Sequence, residues 1–150
     1  MKRMVVDNKV CTSCSYCEAI CSMVHSEGLV NRLNSRIKVR ANNRGGTAVI
    51  SICRQCKDPQ CVQACPHFAI HQDTSLGVPI VDTAKCRGVS CLACVQACPY
   101  GALYFSKEAD IPVACDLCGG EPMCTKFCRV YPHLGHAALA YIENKKRTTS

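Results

Sequence analysis

The sequence predicts a small α+β fold, built of short helices and β-hairpins that bound metal holds together in place of a large apolar core. Sixteen of the 150 residues are cysteine, above the roughly 8–10% that already marks a cysteine framework. Against them stand three Phe, five Tyr and no Trp, too few of the large rings that usually dominate core burial. Between the cysteines, alternating apolar stretches are short and are broken by Gly- and Pro-containing turns, which is the pattern of short strands.

Taken in chain order, Tyr16–Val24 reads as a helix, with shorter helical turns at Cys61–Cys65, Cys94–Cys98 and Cys124–Cys128. Ile37–Arg40 and Thr47–Ile52 alternate about Asn42-Asn43-Arg44-Gly45-Gly46, a hairpin. Ala69–Gln72 and Val78–Asp82 flank a turn containing Gly77. Leu103–Ser106 is a further strand and leads to Ile111-Pro112-Val113. Ala138, Leu139, Tyr141 and Ile142 begin a predicted helix that passes into a basic tail at 143–150. The length suits one domain, 1–150.

The cysteines fall into four groups of four, with none left over. The first is Cys11-x2-Cys14-x2-Cys17-x3-Cys21. The second is Cys53-x2-Cys56-x4-Cys61-x3-Cys65, followed by Pro66. The third is Cys86-x4-Cys91-x2-Cys94-x3-Cys98, followed by Pro99. The fourth is Cys115-x2-Cys118-x5-Cys124-x3-Cys128. Groups two and three are an internal duplication. Cys61-Val62-Gln63-Ala64-Cys65-Pro66 recurs as Cys94-Val95-Gln96-Ala97-Cys98-Pro99, and both run on to an alanine and an aliphatic residue, Ala69-Ile70 and Ala102-Leu103.

Disulfides and metal compete for these thiols. Disulfide scaffolds are secreted and usually shorter. The chain begins MKRMVVDNKV with no apolar signal segment, and no run approaches the roughly 18 apolar residues of a membrane span. A reducing, cytoplasmic setting and metal-bound thiolates are therefore expected. Zinc sites use single sets of four ligands, usually as two C-x2-C pairs, often with histidine. Here triplets plus one recur four times, and His25, His67, His71, His133 and His136 have no ligand-like spacing; they read as surface residues or as support for the ligands. Three closely spaced cysteines can wrap three corners of an iron–sulfur cubane, and the x3 step puts the fourth a helical turn further on, pointing away. In two-cluster ferredoxins that fourth cysteine ligates the other cluster, and a following proline ends the turn.

This interlocking predicts four [4Fe–4S] clusters. The duplicated groups give Cys53, Cys56, Cys61 and Cys98 for one, and Cys86, Cys91, Cys94 and Cys65 for its neighbour. The terminal groups give Cys11, Cys14, Cys17 and Cys128 for the third, and Cys115, Cys118, Cys124 and Cys21 for the fourth. The two clusters of the terminal groups are expected near opposite ends of a row. Gly88, Gly119 and Gly120 serve tight turns or let backbone N–H groups approach sulfur, and Tyr16 and Tyr100 read as core packing first and as neighbours of the clusters second.

The formal charge is +7. Four oxidised clusters with their thiolates, at about −2 each, would bring it to about −1, so much of the basic excess offsets cluster charge. Arg32, Arg36, Lys38, Arg40 and Arg44 read as a solvated strand face or a docking face for an acidic partner, and Lys145, Lys146 and Arg147 as a frayed tail; no nucleic acid is expected. Phosphate-loop, flavin and nucleophile–base motifs are missing, Cys61-x3-Cys65 lacks the third cysteine of a radical cubane, and nothing reads as helix-turn-helix. The chain is therefore expected to carry electrons and not to be an enzyme.

The four-group pattern resembles the four-cluster ferredoxin-like subunits of molybdenum and tungsten oxidoreductases, over about residues 5–142. The resemblance implies two ferredoxin-like modules, one nested in the other: residues 1–30 with 107–142, and residues 48–106. It implies a tungsten- or molybdenum-containing catalytic partner, and a flavin-containing NAD-linked subunit, a soluble ferredoxin or a further copy of the chain as the other contact. The run Cys115-Asp116-Leu117-Cys118-Gly119-Gly120-Glu121-Pro122-Met123-Cys124 is similar to that of the small subunits accompanying tungsten-dependent aldehyde oxidoreductases. Formate dehydrogenase, hydrogenase and class II benzoyl-CoA reductase are the alternatives. The sequence departs from the pattern at Ser22 and Arg129, where proline would follow the last cysteine.

Overall fold

The computed structural model describes residues 2–42, 47–128 and 135–143. Within them, eight strands pair as four separate two-stranded antiparallel ribbons. Strands β2 (Lys38–Asn42) and β3 (Thr47–Ser51) form the first predicted hairpin, whose turn lies outside the described residues. Strands β4 (Ile70–Gln72) and β5 (Pro79–Val81) form the second. Strands β6 (Tyr104–Ser106) and β7 (Ile111–Val113) pair likewise.

The remaining ribbon corrects the sequence reading. The C-terminal stretch is strand β8 (Leu139–Glu143), not a helix, and it pairs with β1 (Lys2–Val6), a strand the pattern did not suggest. The register sets Val6 opposite Leu139 and Met4 opposite Tyr141, so Met4 and Leu139 both reach the core. This is a period-two face, and it exists only because the two ends of the chain meet. Asp7 N–H extends the pairing to the Ala138 carbonyl at 2.9 Å, and His136 Nε2 holds the Asp7 carboxylate at 2.8 Å. The basic tail lies outside the described residues.

Helices α1 (Tyr16–Val24), α2 (Gln60–Gln63), α3 (Ala93–Ala97) and α4 (Met123–Phe127) each carry the closing C-x3-C of a group or its first cysteine. They start in two ways. Helices α1 and α3 follow left-handed residues, Ser15 at φ 60° and Leu92 at φ 53°. In those groups only two residues separate the preceding cysteine from the helical one, and a left-handed step turns the chain in that space. Helices α2 and α4 follow Pro59 and Pro122, whose rings fix φ near −74° and −62°, and those groups have longer spacers. Helix α1 packs on α4, and α2 packs on α3. Each packed pair thus joins one group of each kind. Helix α1 runs on through Ser22 to Val24, which is why no proline can follow Cys21.

Cysteines occupy the core. In the larger apolar cluster Met4, Ile37, Ile52, Leu117 and Leu139 pack with Cys17, Cys21, Cys53, Cys115 and Cys124. In the smaller, Ile70, Leu103 and Ala114 pack with Cys61 and Cys94. Gln55 stitches the N-terminal strand to the second cysteine loop: its carbonyl oxygen accepts the Met4 N–H at 2.8 Å and its amide donates to the Cys53 carbonyl at 2.7 Å.

Candidate iron–sulfur sites

None of the sixteen cysteines is paired in a disulfide. Three cavities are each lined by four of them, drawn from two groups. The first is lined by Cys11, Cys14, Cys17 and Cys128, with Val10 and Tyr16. The second is lined by Cys53, Cys56, Cys61 and Cys98, with Arg54 and Tyr100. The third is lined by Cys65, Cys86, Cys91 and Cys94, with His67, Arg87 and Gly88. The remaining four are also neighbours. Cys124 senses Cys21 and Cys118, and Cys115 senses Cys124 and Cys21.

Further proximities order the sets. Cys17 of the first cavity is near enough to Cys124 for the two charges to interact, as helix α1 packs on α4. Cys115 is likewise within reach of the charge on Cys53 of the second cavity, and the packed helices α2 and α3 join the second cavity to the third. The terminal groups are therefore side by side. They do not lie at opposite ends, because α1 packs on α4 and β1 pairs with β8.

Burial pushes these thiols up. Cys17 and Cys124 are raised to about 12, and Cys53 and Cys94 to about 11. Burial also raises Cys115 and Cys61, and the neighbouring thiols add to it. Such groups become thiolates when a metal supplies the compensating positive charge, with release of protons. Cys21 is the exception. Burial acts on it too, but the His25 hydrogen bond and the Arg36 N–H, 3.3 Å from its sulfur, hold it below the usual thiol range. His25 Nε2 contacts Asp116 at 3.1 Å, and Arg36 Nη1 contacts the same carboxylate at 2.7 Å. Hydrogen bonding to Asp116, then to Cys21, raises His25. The Asp116 contacts were not visible in the sequence, because His25 and Arg36 lie far from Asp116 along the chain.

Backbone donors meet other sulfurs. Ala69 N–H lies 3.3 Å from Cys65 Sγ, and Ala102 N–H 3.4 Å from Cys98 Sγ. A left-handed residue aims each one, Phe68 at φ 51° and Gly101 at φ 55°. The repeated alanine is therefore an amide placed on sulfur. Gly88 has a different constraint: a Cβ there would fall 2.7 Å from the Asp110 carboxylate.

Two readings of the sequence change. Tyr16 and Tyr100 are not core residues: they are 56% and 48% exposed and line the first and second cavities. The basic stretch is not simply a solvated face. Arg32 pairs with the buried Glu18 carboxylate, Arg36 with Asp116, and Lys38 bonds the Arg32 carbonyl and lies 5.4 Å from the Tyr104 ring centroid. Arg44, His133 and the Lys145–Arg147 tail lie outside the described residues.

Four cysteines line each of the three cavities, the donor set of a four-iron cage in which every thiolate takes its own iron. Among the described residues, no three His, Cys, Asp or Glu side chains are gathered as on a single ion.

A chain with its thiols in such sets is an iron–sulfur electron carrier, and among the described residues no helix is long and apolar enough to cross a membrane. Residues 47–133 match the 4Fe–4S dicluster domain, and the chain belongs to that family. It is 38% identical over 137 residues to the "Aliphatic sulfonate oxidoreductase, polyferredoxin-like subunit" of Pyrococcus furiosus, covering 91% of this chain and 75% of that one. It is 34% identical over 143 residues to the "NADH-dependent phenylglyoxylate dehydrogenase subunit beta" of Aromatoleum evansii, covering 93% of this chain and 31% of that one. The fold resembles a chain of the active-site complex BamBC of benzoyl coenzyme A reductase, with TM-score 0.52 and 24% identity over 95% of this chain and 79% of that one. The chain is an iron–sulfur electron-transfer subunit of the kind found in oxidoreductase complexes, not the catalytic component.

Proposed function

We propose that the chain holds four [4Fe–4S] clusters and relays electrons between a tungsten- or molybdenum-containing catalytic subunit and a second redox partner. That partner is a flavin-containing NAD-linked subunit or a soluble ferredoxin. The ligand sets are the three cavity quartets plus Cys21, Cys115, Cys118 and Cys124. The observation that carries this is the second cavity, where Cys98 of group three completes the triplet of group two. The nested modules, 1–30 with 107–142 around 48–106, follow from the same exchange of fourth cysteines, and the protein works in the cytoplasm.

Bound clusters supply one-electron redox chemistry, with no substrate bond made or broken. The chain's own residues do the rest. Helix pairs α1–α4 and α2–α3 fix the spacing, apolar residues such as Leu117 and Leu103 exclude water, and the amides of Arg36, Ala69, Ala102 and Leu117 lie on sulfurs. Hydrogen bonds and burial of this sort set cluster potentials.

A tungsten-dependent aldehyde oxidoreductase is the first catalytic partner we propose, on the run from Cys115 to Cys124. The likeness to the "Aliphatic sulfonate oxidoreductase, polyferredoxin-like subunit" supports an oxidoreductase as the catalytic partner and does not itself favour an aldehyde substrate. Class II benzoyl-CoA reductase is the second reading, which the BamBC fold likeness favours. Anaerobic co-purification with metal analysis tests both. Tungsten with aldehyde-dependent dye reduction supports the first, and benzoyl-CoA activity in the captured complex supports the second. A chain that captures no redox partner contradicts both.

A further inference from the structure

Arg54 is unlike the residues at the same place in the other cysteine groups. The residue after each group's first cysteine is Thr12, Arg54, Arg87 or Asp116. Thr12 is neutral, and Asp116 is anionic and tied to His25 and Arg36. Arg87 lines the third cavity but is exposed to solvent. Arg54 is half-buried and lines the second cavity with four thiols. Its guanidinium carbon lies 5.5 Å from the ring centroid of Tyr100, which lines the same cavity. In the duplicated segment the counterpart of Tyr100 is His67, an imidazole in place of the phenol.

One further observation points to an acceptor inside that cavity. Arg54 Nε is buried and has no hydrogen-bond partner among the described residues. A buried donor left unpaired is costly, and native structures rarely keep one. Burial also presses against the guanidinium's charge, while Tyr100, Cys53 and Cys56 draw it in. A cluster's sulfur atoms would satisfy the N–H. A cation held there favours the state with one more electron, since that state carries one more negative charge.

We infer that Arg54, clamped by Tyr100 and donating to cluster sulfur, makes the Cys53/Cys56/Cys61/Cys98 cluster the most readily reduced of the row. The inference rests on the reading that this cavity holds a [4Fe–4S] cluster. One electron enters that cluster from its reductant, and no bond forms or breaks. Because this cluster lies inside the row, electrons pause there between the terminal groups and the third cavity.

The test is a redox titration of the anaerobic full-length chain with dithionite, followed by electron paramagnetic resonance, after iron has been assayed in every sample. Arg54→Gln should keep the iron and the other midpoints while lowering one midpoint. At that cluster's original midpoint the reduced-to-oxidised ratio should fall about tenfold, which is about 59 mV for a one-electron couple. Arg54→Lys should retain most of the effect, and Arg87→Gln should move its own cluster less, because solvent screens it. If Arg54→Gln loses iron, Tyr100→Leu decides: a lowered midpoint supports the inference and an unmoved one overturns it. A fully loaded Arg54→Gln protein with all midpoints unmoved overturns it too, as does Arg87→Gln having the larger effect. Wild-type protein without iron would instead defeat the ligand reading beneath it.

Discussion

The Val39 N–H donates to the Glu18 carboxylate at 2.6 Å, joining the hairpin strand β2 to helix α1 beside Cys17. Glu18 is only 3% exposed, and Arg32 Nε reaches its other oxygen at 2.8 Å. Replacing Glu18 by alanine leaves the partly buried Val39 N–H without its acceptor, at a cost towards the low end of about 1–3 kcal/mol. The cluster-loaded protein should unfold at a lower temperature, and Glu18→Gln, which keeps an acceptor, should lose less. Equal midpoints for wild type and Glu18→Ala would show that the bond contributes nothing.

Cys128 lies with Cys11, Cys14 and Cys17, although its own group is Cys115, Cys118 and Cys124. Cys128→Ala should therefore remove the same paramagnetic signal as Cys14→Ala. Cys118→Ala should remove a different one. If Cys128→Ala instead matches Cys118→Ala, the exchange of fourth cysteines between the terminal groups is wrong.

Phe68 and Gly101 hold the same place in the duplication and the same left-handed backbone, at φ 51° and 55°. A phenylalanine there is strained by about 1–2 kcal/mol, and at 84% exposure its ring gains little from packing. Phe68→Gly relieves the strain at an entropy cost of about 0.5–1 kcal/mol. The isolated, cluster-loaded chain should become more stable by roughly 0.5–1 kcal/mol, read as a higher thermal midpoint. A lower midpoint would mean the ring packs on something else.

Removal of metal should unfold the protein. With Cys17, Cys53, Cys115 and Cys124 in the core and no large aromatic cluster beside them, the apo chain keeps too little apolar burial to offset its chain entropy. Iron chelation of the denaturant-free protein under anaerobic, non-oxidising conditions should replace the ordered far-ultraviolet circular dichroism by that of an unfolded chain and leave all sixteen cysteine thiols reactive to a thiol reagent. A chelated chain that keeps its ordered spectrum would contradict this.

The cysteine spacing made the grouping and the helix starts legible, since C-x3-C needs a helical turn wherever it occurs. Two hairpins were legible from local alternation, and β6 was legible as a strand, but its pairing with β7 was not. The β1–β8 ribbon was not, because its two strands are separated by almost the whole chain, and Leu139, Tyr141 and Ile142 fit a helical stripe as readily as a strand. For Tyr16 and Tyr100 the sequence favours the wrong one of two readings: aromatic residues in a chain poor in them read as core, whereas here cysteines take that place. Contacts such as His25–Asp116 and Arg32–Glu18 depend on tertiary approach, and nothing in their local sequence marks them.

The account depends on thiol triplets completed by a distant fourth sulfur, four times over. Iron, acid-labile sulfide and zinc should be measured on anaerobically prepared full-length protein. About sixteen irons and sixteen sulfides per chain, as four cubanes require, is the predicted result. About eight irons, or zinc in place of iron, would contradict it.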